Sequence, residues 1–134
     1  MSLINGCENF TETVFVYGSL KRGYSLSGLL SGQQFVREAL TAPDFRLYDL
    51  GRYPGLIRFP GRGLSIHGEL YRVTPECLRR LDDVEGVDEG LYARERIDLL
   101  TGDLLTPAWA YIFLGDTLEC SDCGCRWPAS VTDG

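Results

Sequence analysis

The chain has 134 residues, 44% of them hydrophobic and 24% charged, with a net charge of −6 at pH 7. That length suits one domain with a hydrophobic core of its own, and an acidic chain with scattered Lys and Arg argues against nucleic acid or an anionic membrane as partner. No apolar run approaches the roughly 20 residues of a membrane span, and MSLINGCENFTE at the start lacks the pattern of a secretory leader, so a cytoplasmic protein is expected.

In chain order, residues 1–12 read as an N-terminal extension, 13–115 as the domain and 116–134 as a cysteine-containing tail. Thr13–Ser19 (TVFVYGS) has the β-branched and aromatic content of a buried strand, ended by glycine. SLSGLLSGQ is a turn or short helical piece. FVREALTAPDFRLYDLG predicts one long or two short strands, with a bend at Ala42-Pro43-Asp44. GRYPGLIRFPGRG is a Gly- and Pro-rich loop around a brief strand at Leu56–Phe59, and Leu64–Val73 is a further strand. TPECLRRLDDVEG carries the strongest helix signal: Thr74 can cap, Pro75 suits the first turn, Glu76 complements the dipole and Gly86 stops the helix. LYARERIDLL and LLTPAWAYIFLG are two more strands, joined at Thr101-Gly102-Asp103. About six strands and one or two helices, without regular βαβ alternation, predict an α+β fold on a small mixed, barrel-like sheet.

Two places break the local pattern. The first is VFVYGSLKRG, where Gly18-Ser19 interrupts a buried strand. Gly18 to Gly23 has the first half of a phosphate-loop spacing, but Tyr24-Ser25 stands where Lys-Ser/Thr is required. What remains is a plain tight turn or a set of N–H groups on Gly18, Ser19 and Leu20 able to hold a carboxylate or oxyanion. The second is Glu85, which steps of three and four from Leu78 and Leu81 place on the apolar face of the helix. Asp82 and Asp83 fall toward the solvated side. Partial burial and the helix C-terminus both raise a carboxyl pKa, which suits a general base near neutrality; a frayed last turn with Glu85 in water is the other reading.

The remaining candidates are weaker. His67, the only histidine, alternates with apolar neighbours in SIHGEL and reads as a strand residue. Cys77 reads as a simple thiol. CSDCGC in the tail has a Cys-x2-Cys spacing without a second pair or nearby histidine, and reads as an unstructured thiol-bearing tail rather than a metal site. Tyr92 and Arg94 share one face of their strand.

Taken in order, VFVYGSLKRG, GELYRV, LDDVEG and LYAR resemble the γ-glutamyl cyclotransferase-like superfamily, most closely its small γ-glutamylamine cyclotransferase branch, over about Thr13–Leu114. The resemblance implies a small β-barrel with flanking helices and a cavity at its mouth. It also implies that Tyr17, Gly18, Ser19 and Leu20 grip a γ-glutamyl group, that Glu85 is the catalytic acid/base, and that Tyr92 lines the ligand, with Tyr111 a looser match and Arg94 structural. The reaction implied is attack of the substrate's own α-amino group on its γ-carbonyl, releasing 5-oxoproline and an amine without metal or cofactor. The partner is then a small γ-glutamyl amine. Removal of a γ-glutamyl protecting group from a larger amine, and a non-catalytic module binding a γ-glutamyl metabolite, are the alternatives. The leaving amine and the oligomeric state are left open.

Overall fold

A computed structural model describes residues 9–18, 20–24, 26–51 and 53–128. Eight strands form one sheet: β1 (Glu12–Val16), β2 (Gln34–Thr41), β3 (Phe45–Asp49), β4 (Pro54–Arg58), β5 (His67–Val73), β6 (Tyr92–Thr101), β7 (Leu104–Phe113) and β8 (Ser121–Gly124). One α-helix, α1 (Pro75–Val84), and one 3-10 turn (Ser27–Leu30) complete the described elements.

The sheet order is β1-β5-β2-β6-β7-β4-β3-β8, and β1 also pairs in parallel with β7. Five strands, β1-β5-β2-β6-β7, therefore close on themselves as a mixed barrel, while β4, β3 and β8 extend from β7. Strand β1 is covered on both faces. Phe15 and Tyr17 join the core with Leu70, Ile97 and Ala110, whereas Val14 and Val16 pack with Cys77, Leu78 and Leu81 of α1. A strand buried on both sides needs a continuous apolar run rather than alternation, which is why VFVY reads as it does.

Helix α1 begins as its sequence dictates: the Thr74 hydroxyl accepts the Cys77 N–H at 3.1 Å, with Pro75 in the first turn. It ends at Gly86, whose φ of +67° is the left-handed conformation that closes a helix cheaply only with glycine.

The sheet is larger than the six strands expected, and the tail accounts for part of the difference. Residues 121–124 pair antiparallel with β3, and Cys123 is buried among Leu47, Leu56 and Ile66. An unstructured tail is thus corrected: the sheet does not stop at residue 115. The backbone ladder to β3 and one buried thiol hold this strand, and neither leaves an alternating apolar pattern in SDCG. Among the described residues no helix is long and apolar enough to cross a membrane.

Candidate active site

A cavity of about 100 Å³ opens between the end of β1, the C-terminal end of α1 and the segments entering β4 and β6. Its origin lies in the sheet. One edge of β7 pairs with β1 at Trp109 and with β4 at Ile112, so two strands share that edge and part company beside Tyr111. The Tyr17 side chain fills the junction. Its hydroxyl donates to the Tyr111 carbonyl at 2.6 Å and accepts the Leu56 N–H at 3.2 Å. A buried phenol thus bridges a carbonyl of β7 and an N–H of β4.

Gly18 follows at the cavity wall. A Cβ there would lie 2.6 and 2.7 Å from ring carbons of Pro54, so glycine is required by close packing between the loop and the start of β4. Leu20 lines the same cavity. Among the described residues no acceptor takes the backbone N–H of Gly18 or Leu20. Ser19, expected to share the binding role, lies outside the described residues.

Tyr92 and Tyr111 complete a tyrosine lining. The Tyr92 hydroxyl donates to the Pro54 carbonyl at 2.7 Å and that of Tyr111 to Asp82 Oδ1 at 2.7 Å. Burial above all pushes the pKa of all three tyrosines upward, so they remain neutral phenols with their protons already committed. They can orient a ligand but do not exchange protons near neutral pH.

Glu85 is the exception. It follows the last residue of α1 and lines the cavity, and burial raises its carboxyl to about 7. Removal from water is the main cause, and Glu85 also stands at the C-cap of α1. A carboxyl poised at neutrality can take a proton from an incoming nucleophile and return it to a leaving group.

Asp82 is a correction. Expected among solvated acids, it is half-buried and receives Arg94 Nε at 2.7 Å and Nη2 at 3.2 Å, besides the Tyr111 hydroxyl. Arg94 also lies over the Trp109 ring at 4.4 Å, a tie between strand and helix. Asp82 stands four residues after Leu78, a spacing that already carries it toward the packed face. Sequence reasoning also missed the contributions of Leu26, Tyr53, Pro54, Val84 and Leu91 to the cavity; YP within a Gly-rich loop was the available signal. His67, Cys77 and Cys123 do not reach it. His67 Nδ1 faces Arg126 at 3.2 Å, while burial raises the Cys77 thiol and lifts that of Cys123 to about 11. Among the described residues no three His, Cys, Asp or Glu side chains gather as a metal site.

A family model described as "Gamma-glutamyl cyclotransferase, AIG2-like" matches residues 14–128. The chain belongs to this family. The match reaches past the end of β8, so the tail strand lies within the family's domain. A γ-glutamylcyclotransferase family protein of Escherichia coli K12, YtfP, is 35% identical over 100 residues, 75% of this chain and 80% of its own. A Vibrio cholerae protein provisionally named a γ-glutamylcyclotransferase is 40% identical over 100 residues, with the same shares. Among solved structures, a mouse AIG2-like protein superposes with a TM-score of 0.68 at 28% identity, covering 75% of this chain and 76% of its own. The fold is that of the γ-glutamyl cyclotransferases.

Proposed function

We propose that the protein is a γ-glutamylamine cyclotransferase with Glu85 as its general acid/base. The observation that carries this reading is the placement of one carboxyl, lifted to about 7, in the cavity that Tyr17, Gly18, Leu20, Tyr92 and Tyr111 also line. Family membership supports the reaction class, and the cavity chemistry supports the roles.

The substrate binds folded back, with its free-base α-amino nitrogen against its own γ-carbonyl carbon. The new C–N bond forms as Glu85 takes a proton from that nitrogen. The N–H groups of Gly18 and Leu20, in the loop after β1, hold the oxygen as charge develops on it. The original amide C–N bond then breaks while Glu85 delivers its proton to the departing nitrogen. The products are 5-oxoproline and an amine, with the proton count closed on Glu85. Holding the two ends of one molecule together contributes much of the acceleration, and this design suits a small, tyrosine-walled cavity.

The test is 5-oxoproline release from Nε-(γ-glutamyl)lysine, γ-glutamyl amino acids, glutathione and γ-glutamyl alkylamines. Glu85→Gln keeps the shape and removes the base, and turnover is expected to fall by about 10²–10⁴-fold. Equal release by wild type and Glu85→Gln moves the acid/base role to another group.

A further inference from the structure

The cavity changes character from its interior to its mouth. Inside, three tyrosine hydroxyls are engaged and Glu85 contributes a carboxyl. At the mouth stand three large apolar side chains that are substantially exposed: Tyr53 at 40%, Val84 at 42% and Leu91 at 40%. They come from three separate stretches of chain, before β4, at the end of α1 and before β6. Single exposed apolar residues are ordinary, but three converging on one opening form a contact surface for an apolar ligand group.

The rim is also fixed in place. The Leu91 N–H donates to the Gly86 carbonyl at 3.0 Å and the Leu91 carbonyl accepts the Leu114 N–H at 3.1 Å. The Tyr53 carbonyl accepts the Leu50 N–H at 3.0 Å. Val84 directly precedes Glu85, so the group that protonates the leaving nitrogen sits one residue from the rim. Val84 and Glu85 line the same cavity as Tyr53 and Leu91, which puts the rim within reach of a group carried on that nitrogen.

Resting on the cyclotransferase reading, we infer that the leaving amine carries an uncharged alkyl chain covered by Tyr53, Val84 and Leu91, in preference to an amino acid whose carboxylate would face them. Each methylene seated on the rim adds favourable transfer from water. A carboxylate or ammonium held there loses hydration without an ionic partner from these three residues.

A matched pair of compounds isolates the claim. N-(γ-glutamyl)pentylamine and Nε-(γ-glutamyl)lysine place the same five-carbon chain on the same amide nitrogen, and differ by the ammonium and carboxylate on its last carbon. Binding is measured calorimetrically on Glu85→Gln, and 5-oxoproline release on wild type. The pentylamine compound is expected to bind at least about tenfold tighter, and Leu91→Ser to narrow that ratio to about threefold or less. Val84→Thr, nearly the same shape, narrows it in the same direction and stands in should Leu91→Ser not fold. Equal or tighter binding of the lysine compound overturns the inference, as does a ratio that the rim variants leave unchanged. A binding preference without 5-oxoproline release overturns the cyclotransferase reading alone, and binding of neither compound overturns both.

Discussion

The loop after β1 borders two clefts of similar size, about 100 and 90 Å³, and they treat charge in opposite ways. Gly18 and Leu20 face the tyrosine-lined cavity, while Lys21 faces a polar cleft with Glu38, His67, Glu69 and Arg126. In the polar cleft Glu69 is only 8% exposed, yet it accepts the Arg22 N–H at 2.9 Å and Arg22 Nε at 3.2 Å. Lys21 Nζ donates to the Trp127 carbonyl at 2.5 Å, and Arg126 faces His67. Glu85, by contrast, is taken from water without a cation or donor among the described residues to offset it. A paired acid is architecture. An acid displaced in pKa by burial alone stores free energy that chemistry can use.

That contrast can be broken at four points, in descending size. Tyr17→Phe removes the buried hydroxyl that joins the Tyr111 carbonyl of β7 to the Leu56 N–H of β4; a loss of about 2–3 kcal/mol in denaturant melts is expected. Glu85→Gln has the opposite sign. The folded protein holds the Glu85 proton up to about 7 against 4.5 for a free carboxyl, so folded Glu85 binds more protons and stability falls as pH rises between those values. The variant escapes that loss. It should be about 1–2 kcal/mol more stable at pH 8, after allowance for partial solvent access, with the difference closing toward pH 4. Glu69→Ala strips a partner from Arg22 and should cost about 1 kcal/mol, limited by the exposure of the guanidinium. Arg126→Ala, at an exposed contact, should change stability by no more than about 0.5 kcal/mol.

The tyrosine-lined side was the more legible of the two clefts in sequence. Glycine cutting a doubly buried strand, and a glutamate on a leucine stripe, are local contradictions visible without coordinates. The polar cleft leaves no such mark, because Lys21, Glu38, His67 and Arg126 meet only through the pairing of β2 with β5 and the docking of the Cys125 carbonyl on the His67 N–H. Strand β8 was hidden for the same reason. Its support is the backbone of β3, and a tetrapeptide with one buried thiol has no period to read. Asp82 shows the limit on a helix: the wheel gives its direction, but only the strands bearing Arg94 and Tyr111 decide whether water or protein meets it. The clamp of Pro54 on Gly18 depends on β4 reaching β7, a pairing distant in sequence.

The central claim is that burial leaves Glu85 as the cavity's proton carrier near neutrality. The most direct measurement follows the Glu85 carboxyl carbon by ¹³C NMR across pH, beside the pH profile of kcat/KM for 5-oxoproline release. The account predicts a titration near 7 and an acid limb of kcat/KM at the same pH, since only the carboxylate can accept the proton. A Glu85 carboxyl titrating near 4.5, or no acid limb near 7 beyond the one set by the substrate's own α-ammonium group, would contradict it.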